Sequence, residues 1–115
     1  MNRKYSLKKN HDIERLIKNK QSVGNKYYAI YYQYSEEKLP KVAISPSKKF
    51  KTAVRRNYEK RVVKEIIREQ LGKLNNLQLL IIVKTKVDEL DFEGRKKQIV
   101  HLTNKVLRSK HEKTD

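Results

Sequence analysis

Residues 41–70, KVAISPSKKFKTAVRRNYEKRVVKEIIREQ, change character twice along their length. Lys41–Ser45 alternates, Val42 and Ile44 against Ala43 and Ser45, which is the period of a strand. Pro46 has no N–H to give to a central ladder, so that strand ends there or lies on an edge. From Ala53 to Gln70 apolar residues recur at helical spacing, with Thr52 as N-cap and Gly72 as the stop. The LLIIV run makes residues 78–84 a central strand buried on both faces. Upstream, Val23–Tyr34 is β-branched and aromatic and reads as one strand, with a turn signal at Gly24-Asn25 near its start. Ser35–Lys38 reads as a hairpin loop leading to the strand that Pro40 opens. A short helix fits Asp12–Lys18, capped by Asn10 or Asp12, with Ile13, Leu16 and Ile17 on one side. A last helix fits Asp91 to about Arg108, with Ile99, Leu102, Val106 and Leu107 on its inner face. The order helix, strands, helix, strand, helix is that of an α+β domain around one small sheet.

With 3 Gly and 2 Pro among 115 residues, there is neither a linker nor a repeat. One domain spans 1–115, and the polar ends 1–6 and 109–115 are expected to be flexible. Leu, Ile, Val and Phe together make 31 residues, enough for a core. Against that core stand 29 Lys+Arg and 13 Asp+Glu, a net charge of +16, with a pI near 10.1. Self-repulsion on this scale burdens a small compact domain unless a polyanion neutralises it, so nucleic acid is the first partner to consider. The absence of cysteine excludes disulfide scaffolds, thiolate metal sites and Cys nucleophiles. The longest aliphatic run, Leu79–Val83, is too short to cross a bilayer, and the basic start MNRKYSLKKN lacks the apolar stretch of a secretory signal. The expected setting is cytoplasmic, with no membrane partner.

Charge is densest in Ser47–Lys64, where Lys48, Lys49, Lys51, Arg55, Arg56, Lys60, Arg61 and Lys64 face the single acid Glu59. At about 100° per residue, Asn57, Lys60, Arg61, Lys64 and Arg68 share one arc. Val62, Val63 and Ile66 lie opposite, and Ile67 falls at the margin. A merely solvated helix mixes acids and bases, because like charges at i,i+4 repel. A one-signed face suits phosphates, Arg through its planar fork and Lys as a point charge, while Asn57 can reach a base edge or a 2′-hydroxyl.

Ser45–Glu65 resembles the signature of the bacterial ribonuclease P protein subunit. The matching elements are Ser45, Ser47-Lys48-Lys49, Ala53-Val54, Arg56-Asn57, Lys60-Arg61 and Lys64. Leu7-Lys8-Lys9-Asn10 with Asp12, and Ser22-Val23 with Asn25, resemble the family's N-terminal portion, so the likeness runs from about Leu7 to Arg108. Tyr58 stands where the signature often has Arg, and Lys51-Thr52 where Gly-Asn is usual. Ile13 and Ile17 stand where aromatics are common. The resemblance implies an α+β domain with a mixed sheet of about four strands and helices packed on it. It further implies that catalysis belongs to an RNA subunit, which uses divalent ions such as Mg²⁺ to remove the 5′ leader of precursor tRNA. The protein would bind that catalytic RNA through Arg56, Asn57, Lys60, Arg61, Lys64 and Arg68. It would bind the leader through Ile13, Ile17, Tyr31, Ser45, Lys48, Lys49 and Ala53. A small basic ribosomal or other structural RNA-binding protein would share the charge and fold class, without needing a leader cleft.

The residues agree with a polypeptide that has no catalytic or metal site of its own. His11, His101 and His111 share no ligand or acid–base spacing, and each reads as a surface residue. Asp88, Glu89, Asp91 and Glu93 read as a loop and a helix N-terminus favoured by the dipole. Tyr27, Tyr28, Tyr31, Tyr32 and Tyr34 crowd one segment. Strict alternation puts Tyr28, Tyr32 and Tyr34 on one side and Tyr27 and Tyr31 on the other, so one set is core. An exposed aromatic on a sheet face can stack an unpaired base.

Overall fold

The computed structural model describes Tyr5, Leu7 and residues 10–19 and 21–114, with the side chains of 10–12 and 110–114 outside that description. The expectations about capping by Asn10 or Asp12, about His11 and His111, and about most of 1–6 and 110–115 therefore lie outside the described residues. The elements are α1 (Asn10–Lys18), β1 (Ser22–Gly24), β2 (Tyr28–Tyr34), β3 (Lys41–Pro46), α2 (Ala53–Arg68), β4 (Leu77–Val83) and α3 (Phe92–Thr114). Short 3₁₀ turns at Leu71–Lys73 and Thr85–Glu89 follow α2 and β4. The result is an α+β domain with a four-stranded mixed sheet and three helices.

The sheet order is β1-β2-β4-β3, with β4 antiparallel to β2 and parallel to β3. The expected hairpin between the second and third strands is therefore absent. LLIIV needs apolar cover on both faces, and β4 gets it by taking the middle, so the Ser35–Pro40 connection passes over its end. Ser35 N–H donates to the Asn76 carbonyl at 2.9 Å, and Asn76 N–H to the Lys38 carbonyl at 3.0 Å, tying that connection to the turn before β4. Pro46 closes β3, which is an edge strand, as its missing N–H requires.

Three further expectations are corrected. The single strand over 23–34 is two antiparallel strands, because Asn25 folds the chain back. Its Oδ1 accepts from the N–H groups of Tyr27 and Tyr28 at 2.8 and 3.0 Å, an Asx turn that competes with the strand ladder. Tyr27 therefore escapes the alternation and packs against the same core as Tyr28. The helix α2 ends at Arg68 with Glu69 as C-cap. Gly72 sits beyond it in a 3₁₀ turn at negative φ and does not act as a left-handed stop. The helix α3 runs past Arg108 to Thr114 and is started by Asp91, whose Oδ1 accepts from the Gly94 N–H at 2.8 Å.

One sheet face carries the main core. Tyr28, Ile30 and Tyr32 of β2, Leu79 and Ile81 of β4 and Val42 of β3 pack against Val62, Val63, Ile66 and Ile67 of α2 and Ile99, Leu102 and Val106 of α3. Ile67, marginal on the helical wheel, is fully buried. On the other face α1 lays Leu16 over Leu80, with Leu7 beside them.

Inside the main core sits a charge network. Glu59, 0% exposed, receives Arg95 through both carboxylate oxygens, Nε to Oε1 at 3.1 Å and Nη2 to Oε2 at 3.0 Å. Arg55 adds a third bond to Oε2 at 3.0 Å and forms an ion pair with Asp88. Arg95 Nη1 donates to the Leu90 carbonyl at 2.5 Å, so α2, the 85–89 turn and α3 meet at one carboxylate. Burial, with Glu59 nearby, pushes the Tyr28 phenol well above the ordinary tyrosine range. Its hydroxyl has no hydrogen-bond partner among the described residues.

Removing one partner of a buried pair leaves an uncompensated charge. Glu59→Ala should cost about 3–5 kcal/mol in urea unfolding, and Glu59→Gln less. Tyr28 binds its proton more tightly in the folded than in the unfolded chain. Stability should therefore fall as pH rises past about 10, where the unfolded tyrosine ionises first. Tyr28→Phe, which deletes an unpaired hydroxyl, should match or exceed the wild type in stability and shed its share of that alkaline loss. Thermal unfolding of both chains from pH 8 to 11 checks this.

Candidate nucleic-acid interface

The turn from β3 into α2 is built by local hydrogen bonds. Ser47 N–H donates to the Val83 carbonyl at 2.8 Å, Phe50 N–H to the Ser47 carbonyl at 3.2 Å, and Lys49 N–H to Ser47 Oγ at 3.1 Å. Buried Phe50 pins the turn from below while Lys48 and Lys49 stay exposed. Thr52, in an extended conformation, caps α2 by accepting the Arg55 N–H on Oγ1 at 3.1 Å.

With Val62, Val63, Ile66, Ile67 and Glu59 turned inward, the opposite side of α2 must face solvent. Asn57, Arg61, Lys64 and Arg68 are exposed there, and Arg56 and Lys60 half-exposed. Arg56, Lys60, Arg61 and Lys64 form no ion pair among the described residues. Arg68 is held by Glu65 at 2.6 Å, which shares its charge. Arg55, counted with the basic run by sequence, is not on this face, because Glu59 and Asp88 hold it.

The second surface lies across the sheet. Register places Tyr31 of β2 opposite Leu80 of β4, and Leu80 opposite Ala43 of β3. The next row on the same face is Ala29, Ile82 and Ser45. Tyr31 and Ile13 are partly buried beside Leu16 and Leu80. Ile17, one turn along α1, is 46% exposed and outside that cluster. Ser45 is exposed at the end of β3, and Ala53 is exposed at the start of α2. Tyr31, Ser45 and Ile13 thus share the α1 side of the sheet, while Lys48, Lys49 and Ala53 sit at the corner where the chain crosses to α2. Ala29 and Ile82 complete that row. Alternation from Tyr31 reaches Ala29, but Ile82 joins it only through a long-range strand pairing.

The acids near α3 are accounted for singly: Asp88 pairs with Arg55, Glu89 with Lys86 at 3.2 Å, and Asp91 caps the helix. No group of three His, Cys, Asp or Glu suited to a metal ion occurs among the described residues. His101 is exposed on α3. The surfaces can therefore attract phosphate and stack or hydrogen-bond bases.

The sequence pattern of the family described as Ribonuclease P matches residues 1–107. The ribonuclease P protein component of Streptococcus agalactiae is 31% identical over 102 residues, covering 89% of this chain and 94% of that protein. That of Acholeplasma laidlawii is 35% identical over 103 residues, covering 89% of each. Among solved structures, the RNase P protein of Staphylococcus aureus superposes with a TM-score of 0.82 at 25% identity, over 89% of this chain and 94% of that one. The RNase P protein of Thermotoga maritima does so with a TM-score of 0.77 at 25% identity, over 84% and 93%.

An open cationic face should bind simple anions in the folded state only. Sulfate should therefore raise the thermal midpoint above that in chloride of equal ionic strength, by about 2.7 kcal/mol of stability at a hundredfold excess over Kd. Circular dichroism melts across a sulfate series make the comparison, and a flat response would contradict it.

Proposed function

The chain belongs to the ribonuclease P protein family, and we propose that it holds the catalytic RNA with the open face of α2 and the 5′ leader of precursor tRNA on the α1 side of the sheet. As a ribonuclease P protein component it is a subunit of an endoribonuclease complex and a partner of that complex's RNA. In this reading the RNA carries the cleavage that yields the mature 5′ end, with Mg²⁺ bound in the holoenzyme and no ion resident on the protein. No helix among the described residues is long and apolar enough to cross a membrane. The reading puts the complex in the cytoplasm.

The observation that supports it most is the continuity of the two surfaces. Ser45, Lys48 and Lys49 run through a hydrogen-bonded turn directly into Arg56, Asn57, Lys60, Arg61 and Lys64. Phosphate contacts along α2 set the register of the RNA, and charge neutralisation lets a second polyanion approach. On the other side of the sheet, Tyr31 stacks an unpaired leader base, Ile13 and Ile17 wall it in from α1, and Lys48 and Lys49 take phosphates at the corner by Ala53. Because β3, the turn after it and α2 are continuous and link the two sets, the substrate is held at a fixed offset from the RNA. A general ribosomal binder needs the first surface and not the second.

The two surfaces are separable by salt. Lys60→Ala or Arg61→Ala should weaken binding to the RNA subunit and flatten the salt slope by about 0.7–0.9 for each phosphate no longer neutralised. Tyr31→Ala should leave that binding intact and weaken precursor tRNA binding by about 1–3 kcal/mol, with mature tRNA unaffected because it has no leader. The polypeptide alone should not cleave precursor tRNA, and adding its RNA should restore cleavage at low Mg²⁺. Metal-dependent 5′ cleavage by nuclease-free protein, or equal weakening for precursor and mature tRNA with Tyr31→Ala, would overturn the reading.

A further inference from the structure

We propose that Tyr58 is a stacking platform on α2 for an unpaired base of the RNA subunit, an inference that rests on the reading of α2 as the RNA-binding helix. Tyr58 is 46% exposed, and Val54, one turn earlier on the same side, is 77% exposed. Together they make an apolar strip along the basic arc, with Arg61 one turn further on.

The ring is held before any partner arrives. The Arg55 and Arg95 guanidiniums lie 5.4 and 5.9 Å from its centroid. Both are fixed in turn by Glu59, with Asp88 holding Arg55 and the Leu90 carbonyl holding Arg95. A ring clamped in this way loses little side-chain freedom on binding. Both cations beside it are already paired with carboxylates, so this edge of α2 offers an aromatic and aliphatic surface and no free charge for phosphate. A nucleotide whose phosphate sits on Arg61 presents its base to that strip. Stacking tolerates any base, because each has a π-face. The neighbouring open cation Arg61 favours a polyanion over an apolar protein as the molecule that covers it.

The test measures affinity of the full chain for its transcribed RNA subunit across a salt series, with Lys60→Ala as the reference for a phosphate-binding residue. Tyr58→Ala should weaken binding on the order of 10-fold or more while keeping the wild-type salt slope. Tyr58→Phe should bind within about twofold of wild type, since the π-face is retained. Tyr58→Leu keeps an apolar side chain against the two guanidiniums and should bind as weakly as the Ala variant. Thermal melts of each variant are taken alongside. Wild-type affinity for Tyr58→Leu, a slope changed as in Lys60→Ala, or a Phe variant as weak as Ala would each overturn the proposal. If Lys60→Ala and Arg61→Ala also bind like wild type, the assignment of α2 itself fails, which separates the two conclusions.

Discussion

The carboxylate of Glu59 sets the rotation of α2. It is the one acid within a run of eight cations, and the fold turns it inward, where Arg95 grips both oxygens and Arg55 adds a third bond. A charge at 0% exposure is tolerable only when it is paired and hydrogen-bonded. Rotating α2 far enough to bury any part of its basic arc would expose or strip that pair. The buried network therefore keeps Arg56, Lys60, Arg61 and Lys64 outside, ready for phosphate. It also links α2 to α3 and to the turn after β4, so the basic face is fixed relative to the sheet.

The second constraint is the demand of β4 for cover on both faces. Leu79 and Ile81 face α2 and α3, while Leu80 faces α1. A strand with this pattern cannot sit at an edge, and its insertion between β2 and β3 leaves β3 outermost, where Pro46 costs no ladder bond. The edge position lets the chain leave β3, turn through Ser47–Thr52 and start α2 beside the open end of the sheet. The residues on the α1 face of the sheet and those on the basic face of α2 owe their proximity to that exit. Covering Leu80 also brings α1 onto the sheet, where it buries Leu16 and leaves Ile17 46% exposed.

A domain with a net charge of +16 and a modest core tolerates self-repulsion because the charges are sorted. Those that meet acids, Arg55, Arg68, Arg95, Lys86 and Lys96, brace the interior or pair at the surface. Among the described residues, Lys48, Lys49, Lys51, Arg56, Lys60, Arg61 and Lys64 meet none and lie together on α2 and the turn before it.

Periodicity and chemistry local to the chain were legible without coordinates. The alternation of 41–45, the apolar run 79–83, the helical spacing within 53–70 and the Thr52 cap are short-range patterns, and each became the element expected, with the ends of α2 and α3 shifted by a few residues. The one-signed arc of α2 was legible for the same reason, since a helix's own geometry decides which residues share a face. What the chain could not reveal locally depended on partners far along it. The Asx turn at Asn25 broke an apparently continuous strand, and the insertion of β4 replaced a hairpin. Glu59 and Asp88 drew Arg55 off the open basic face, and Arg55 and Arg95 together clamped Tyr58. Sequence alone determined the elements and the sign of the surface, because those follow from neighbours within a turn or two. Only the tertiary structure decided which cations are paired and which are free, because ion pairs form between residues brought together by packing.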